Sequence, residues 1–390
     1  MKNLFNFILR RLKTEYPFLF KIARQIHLYT QRPIPVRKEG KKKVLICYIT
    51  KPFQTQNHRG HSNQQEVVKM SDVLAGLGFS VDVVDYNSEF NINYSPYDLL
   101  IGFGGAFARS FSVADFRGKR ILHFTGANPN FSNEAEARRA RNLFERRGVL
   151  MVPRRETYWP WMFSAINSDA MFVLGNSWTL STFDGLNPNT YQIPVPFVAP
   201  VEQKIGRRDF ANIRHNFCWF AGGGAVHKGL DLLLEAVGRI SNDFHLDICA
   251  PIENEVDFLA SYKDLLFANS RVSFHGFVDV ASQKMHDIMA SNAFVIFPSC
   301  SEGGGSSVIT CMAAGLIPVV TKEASIEIRD FGVLIDSPTV PSIIAAMLLA
   351  GSMSEEELEI RSSKSCSYAR LEHSYESYAK ILRHSLLETL

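Results

Sequence analysis

The chain has 390 residues, too many for one ordinary domain and comfortable for two. Its 46% hydrophobic and 21% charged residues, 25 Gly and 17 Pro are a globular balance that excludes wholesale disorder and collagen-like or low-complexity repeats. The net charge of +3 is unevenly spread: residues 1–43 hold 12 Lys and Arg against 2 Asp and Glu, leaving 30 basic and 37 acidic residues to the rest.

Residues 1–40 read as a basic amphipathic leader. Leu4, Phe5, Ile8 and Leu12 share a helical face, Arg10, Arg11 and Lys13 lie elsewhere, and Phe18, Leu19, Ile22 and Ile26 resume the pattern after Pro17. The charges break the apolar stretch and no small-residue cleavage site follows, so it is not expected to be a signal peptide. Two readings stay open: residues 1–30 lie in an anionic membrane interface, or the segment packs on its own protein. No apolar run in the chain approaches the roughly 18–20 residues of a membrane span. Six Cys without a CxxC pattern, most within apolar runs, point to buried reduced thiols and a cytoplasmic protein, peripheral to the membrane if the leader binds it.

From Lys41 the chain alternates. Val44–Ile49 predicts a strand, a polar loop covers 51–62, and a helix runs near 63–77. Strands follow at Ser80–Val84, Asp98–Gly102, Arg120–Thr125 and Ala170–Leu174, with a charged helix from about 133 to 147. Three prolines in 191–201 predict an extended junction. The alternation restarts with strand Phe217–Ala221, helix Lys228–Ile240, strands His245–Cys249, Val272–His275 and Phe294–Phe297, helix Val308–Ala314 and strand Ile317–Val320. A last helix covers about 374–388. Strand–helix–strand at this spacing implies parallel sheets covered on both faces. The expected division is 41–197 for an acceptor-side α/β domain, 198–372 for a donor-side one and 373–390 for a terminal helix. The cleft between the domains, at the carboxyl ends of the strands, is the default site.

Two segments carry the strongest chemistry. The first is strand, then Pro298-Ser299-Cys300-Ser301-Glu302-Gly303-Gly304-Gly305-Ser306-Ser307, then helix. Such glycines let backbone approach a ligand, and a helix start offers unpaired N–H groups to a phosphate or to sugar hydroxyls. Ser306 or Ser307 could equally be N-caps. Glu302 at the mouth of this loop has a poor packing rationale. The second is strand, then Gly222-Gly223-Gly224-Ala225-Val226-His227-Lys228-Gly229, then helix. A Lys in a first helical turn is disfavoured by the macrodipole unless an anion neutralises it, and a diphosphate would do so. A solvated surface Lys is the alternative.

These segments, with Val272-Ser273-Phe274-His275-Gly276-Phe277-Val278 and Met312-Ala313-Ala314-Gly315-Leu316-Ile317-Pro318, resemble the retaining glycosyltransferases of family 4, whose architecture is GT-B. The resemblance covers 217–335 well, is topological through 44–198, and does not reach 1–40. It implies two Rossmann-like domains facing across a cleft, with the C-terminal helix returning to the first. It implies that Lys228 binds the diphosphate of a UDP- or GDP-sugar, that Glu302 meets the donor sugar, and that amides of Gly303, Gly304, Gly305, Ser306 and Ser307 hold sugar and phosphate. His275, Phe277 and Val278 would lie near the base. The second acid of the family's E-x7-E motif is Thr310 here, and the Arg that often stands five residues before the Lys is Gly223. Amides of Gly222, Gly223 and Gly224 could offset the lost Arg.

In the first domain, Asn57-His58-Arg59-Gly60-His61-Ser62-Asn63 opens a helix toward the cleft, making Gly60, His61, Ser62 and Asn63 candidates for acceptor or donor contact. Ser62 or Asn63 could instead cap the helix. His58 and His61 lack further ligands for a metal. His123, at the tip of its strand, matches a family His near the anomeric carbon; Thr125 competes for the role, and a satisfied core His is the alternative. Gly126 and Asn176 are further cleft candidates. No GxGxxG with a ribose-binding acid, no D-x-D and no GxSxG occurs, which disfavours a nicotinamide enzyme, metal-dependent sugar transfer on the other common fold, and a hydrolase. Nucleic-acid binding rests on the leader alone. The expectation is a metal-independent, retaining hexosyltransferase that needs no cofactor. It would take a nucleotide-diphosphate sugar and a glycan or lipid-linked acceptor in cell-surface polysaccharide synthesis. A binding or scaffold protein of the same fold, or an epimerase, are the alternatives.

Overall fold

Every residue from Val44 to Tyr48 is buried, with Val44 and Ile46 packed into one apolar cluster and Leu45 and Cys47 into another. That two-residue alternation with both faces covered defines an interior parallel strand. The computed structural model describes residues 28–54, 62–198, 208–240 and 243–390, with Phe18, Gln25 and Ile26. Of the helical pattern proposed for the leader, only Phe18 and Ile26 are described, both helical and exposed; the rest of it, its membrane reading, and the candidates Gly60 and His61 lie outside the described residues.

The first sheet contains β1 (Ile34–Arg37), β2 (Lys42–Tyr48), β3 (Phe79–Asp85), β4 (Leu99–Gly102), β5 (Lys119–Phe124), β6 (Ala170–Leu174) and β7 (Thr190–Ile193), in the order β1-β3-β2-β4-β5-β6-β7. All its pairs are parallel except β1 with β3. The second contains β8 (Asn216–Phe220), β9 (His245–Cys249), β10 (Val272–Gly276), β11 (Phe294–Phe297), β12 (Ile317–Val320) and β13 (Val333–Leu334), in the order β10-β9-β8-β11-β12-β13, all parallel. The connection reverses direction between β8 and β11, so the crevice at that switch point opens beside both glycine loops.

Six helices bear on the site: α1 (Ser62–Ala75), α2 (Pro129–Arg147), α3 (Leu230–Arg239), α4 (Ser306–Ala313), α5 (Glu355–Glu372) and α6 (Tyr375–Thr389). The last returns to the first unit as expected. Tyr378, Leu382 and Leu386 are buried, the Tyr375 hydroxyl donates to the Ser62 carbonyl at 3.4 Å, and Lys119 donates to the Thr389 carbonyl.

Four local expectations are corrected. Tyr191–Ile193, read as linker, pairs with β6 as an edge strand. The charged helix starts at Pro129 rather than 133, because the Asn128 side chain accepts from the Asn130 amide at 2.9 Å and Pro suits a first helical position. Lys228 stands before its helix, not in the first turn: Gly229 occupies the N-cap at φ 78° and α3 begins at Leu230. Neither Ser306 nor Ser307 caps α4; Gly305 holds the cap position and the Ser306 hydroxyl donates to the Pro196 carbonyl at 3.0 Å.

Candidate active site

The two glycine loops after β8 and β11 pack directly on one another. A Cβ on Gly229 would come within 2.4 Å of the Pro298 carbonyl oxygen, so only glycine fits that crossing. This approach carries Lys228 Nζ to 2.5 Å from Glu302 Oε1 and 5.1 Å from the centre of the Phe297 ring. The Ser299 hydroxyl donates to the same carboxylate oxygen at 3.1 Å. Burial pushes the Lys228 ammonium down from its ordinary value, against the pull of Glu302. Burial alone would raise the Glu302 carboxyl, but Lys228, Arg155 and His227 outweigh it and hold it at about 2.

Beside the pair lies a cavity of about 170 Å³ between the two units, reached by Glu302 but not lined by Lys228. The first unit lines it with Phe103, His123, Thr125, Gly126, Arg155 and Trp159; the second supplies His227, Ser301, Glu302 and Gly303. His123, one residue before the end of β5, is fully buried, and its Nε2 donates to Glu66 Oε1 at 2.8 Å. Its Nδ1 has no hydrogen-bond partner among the described residues. Neither reading of His123 as ligand contact or as satisfied core residue fits alone: one nitrogen is satisfied and the other is not.

His227 was not singled out by the sequence. Its Nδ1 meets Glu136 Oε2 at 2.5 Å and its Nε2 meets the Ser301 carbonyl at 2.6 Å. Both partners are acceptors, so both nitrogens donate and the ring is an imidazolium. Burial opposes that charge, but hydrogen bonds to Cys300 and Glu136 push its pKa up to about 9. Glu136 also accepts from the Arg154 and Arg155 amides at 2.6 and 3.2 Å, tying the loop after α2 to the second unit. Adjacency to Lys228 was the only signal for His227, and nothing in the sequence pointed to Glu136.

α2 is the main polar fastening between the units. Arg139 Nη2 lies 2.6 Å from Asp231 Oδ1 with both side chains buried, and Arg146 reaches Asp231 at 2.5 Å and Glu235 at 3.2 Å. The glycines after β11 serve this closure too. A Cβ on Gly303 would sit 2.6 Å from the Gly126 Cα, and one on Gly304 2.8 Å from Val195 Cγ2. Asn176 caps the helical turn 177–181 and binds Ser325 across the interface at 2.9 Å.

Several sequence candidates lie apart from the cavity. The Thr310 hydroxyl is buried, donating to the Ser306 carbonyl at 2.7 Å and accepting from the Val198 amide at 3.1 Å, so it anchors the junction. The amides of Gly224 and Ala225 point at Glu255 Oε1 and Oε2 at 2.6 and 3.1 Å, so a protein carboxylate already sits on that loop. Gly222 and Gly223 are exposed beside it. At the end of β10, His275 Nε2 binds Asp247 Oδ1 at 2.6 Å, Phe277 is exposed and Val278 is buried. Gly305 and Ser307 flank the start of α4, both outside the cavity wall. Ser62 is buried under α6, and Asn63 lines a separate cavity of about 400 Å³ with Thr50, Lys51 and Asp85. Among the described residues no three His, Cys, Asp or Glu converge to hold a metal ion, and no helix is long and apolar enough to cross a membrane.

Residues 215–350 match the family described as "Glycosyl transferases group 1". No curated protein matches the chain. Among solved structures, it resembles sucrose-phosphate synthase from Thermosynechococcus elongatus at 12% identity and a TM-score of 0.64, over 89% of this chain and 98% of that one. It resembles the Anabaena protein HepE in complex with UDP-glucose at 12% identity and 0.62, over 89% and 99%. The catalytic domain of starch synthase IV from Arabidopsis thaliana, bound to ADP and acarbose, matches at 12% identity and 0.60, over 90% and 99%. At these identities the likeness is one of fold.

Proposed function

We propose, from the match of residues 215–350 to the group 1 glycosyl transferases, that this chain transfers a hexose with retention from a UDP- or GDP-sugar to a hydroxyl of a glycan or lipid-linked acceptor. The observation that carries this is the buried Lys228–Glu302 pair beside a cavity that both units line. Lys228 neutralises the diphosphate as the glycosidic bond breaks, in a site dry enough for that charge to count. Glu302, held ionised, accepts from sugar hydroxyls, and the Nδ1 of His123, without a partner among the described residues, hydrogen-bonds to the sugar as well. The acceptor approaches from the first unit, past Thr125 and Trp159. The solved relatives bound to UDP-glucose and to ADP support a nucleotide donor. The basic leader supports an acceptor at an anionic membrane face, in surface polysaccharide synthesis.

The test is a transfer and hydrolysis screen of the purified protein with UDP-, GDP-, ADP- and CMP-sugars, with EDTA and Lys228→Ala as controls. Turnover of one nucleotide class, insensitive to EDTA and lost in the variant, is expected. Turnover unchanged by Lys228→Ala would overturn the assignment of the diphosphate to that residue.

A further inference from the structure

In and beside the cavity there is one more cation than the carboxylates paired there neutralise. Lys228 is paired with Glu302, and the His227 imidazolium with Glu136. Arg155, in the wall of the same cavity, has no side-chain hydrogen bond or ion pair with any described residue. Its charge is nonetheless felt by both Glu302 and Lys228. A guanidinium facing a pocket without an anion of its own is a vacant half of an ion pair.

Its placement is built in. The Arg155 amide is held by Glu136, and through Glu136 and His227 that stretch of backbone is fixed to the second unit. The side chain then runs across Gly224. A Cβ there would stand 3.0 Å from Arg155 Cδ and 3.2 Å from Cγ, so the missing side chain at 224 is the channel for the stem. Gly224 also adopts φ 94°, a conformation that favours glycine independently.

We propose that Arg155 is a diphosphate-binding residue contributed by the first unit, gripping the leaving group of the nucleotide sugar while Lys228 holds it from the second. This rests on the reading of the site as a nucleotide-sugar site. The planar fork of Arg suits paired phosphate oxygens, where Lys offers only a point charge. Two cations from separate units make donor binding and the pressing together of the units one event.

The test is calorimetric titration of the full chain and of Arg155→Gln and Arg155→Lys with UDP, UMP, GDP and GMP, alongside thermal unfolding. Arg155 is exposed, so both variants are expected to melt as the parent does. Arg155→Gln is expected to weaken UDP or GDP roughly 10- to 100-fold, as loss of charge-assisted hydrogen bonds does, with the monophosphates changed less than about threefold and Arg155→Lys intermediate. Diphosphate affinity unchanged in Arg155→Gln overturns the proposal and leaves the transferase reading standing. Equal losses for mono- and diphosphates overturn it as well, since they mark a general structural effect. A parent protein that binds none of the four nucleotides overturns the reading of the site and this proposal together.

Discussion

Lys228 and Glu302 stand 74 positions apart in the chain, yet their charged atoms are 2.5 Å apart with both side chains nearly sealed from solvent. Each stands in the loop that follows a different strand at the switch point of the second sheet, and each neutralises the other in the absence of a ligand. Removing one partner of such a pair costs about 3–5 kcal/mol, because the remaining charge is stranded. Lys228→Ala is therefore expected to lower the melting temperature by several degrees and to cut turnover at least about 100-fold. Adding Glu302→Gln should recover much of the stability and none of the rate. Melting curves and steady-state kinetics on the three variants check both halves.

Arg139 and Asp231 join the units through a buried pair. Burial pushes the Asp231 carboxyl up more than Arg139 and Arg146 pull it down, so the aspartate depends on both guanidinium groups. Arg139→Ala should destabilise the protein by roughly 3 kcal/mol. In a double-mutant cycle with Asp231→Asn, urea unfolding should report a coupling of about 1–3 kcal/mol. A coupling near zero would show that the helix α2 interface does not rely on this pair.

The His227 imidazolium gives stability a pH dependence of definite sign. Its folded pKa, about 9, lies above the ordinary value near 6.5, so its contribution is complete below about pH 6.5 and is lost as pH rises through 9. The full span is at most about 3 kcal/mol, at about 1.4 per pKa unit. Urea unfolding at pH 6.5, 8 and 9.5 should show the decline, and His227→Gln should flatten it while lowering the stability at pH 6.5.

Gly229 and Gly222 sit in the same loop and should respond oppositely to alanine. Gly229 has φ 78° and would drive a Cβ into the Pro298 carbonyl, whereas Gly222 has open space and no left-handed φ. Gly229→Ala is expected to cost at least about 1–3 kcal/mol from backbone strain alone and to spread the two loops. Gly222→Ala should stay within about 0.5 kcal/mol of the parent. Thermal unfolding and nucleotide titration of both variants make the comparison.

The sequence by itself determined the interior strands of both sheets, because buried parallel strands are written as short, mainly apolar runs, as in Ala170–Leu174 before Gly175 and Phe294–Phe297 before Pro298. It also marked Lys228 and Glu302, since a charge beside a glycine loop at a strand end is a local pattern. Short edge strands such as Val333–Leu334 and Thr190–Ile193 carry too few residues for periodicity to register. Only the tertiary structure decided which charges meet. Glu136, Arg139 and Arg155 belong to a helix and loop whose composition reads as a solvated surface, and their roles come from docking against His227, Asp231 and Gly224 of the other unit. It also decided what the conspicuous glycines are for: at Gly229, Gly303 and Gly304 the close neighbour is another stretch of this chain. A local sequence specifies the conformation of its own backbone, but an ion pair between elements some 90 residues apart exists only once both sheets have placed their loops against each other.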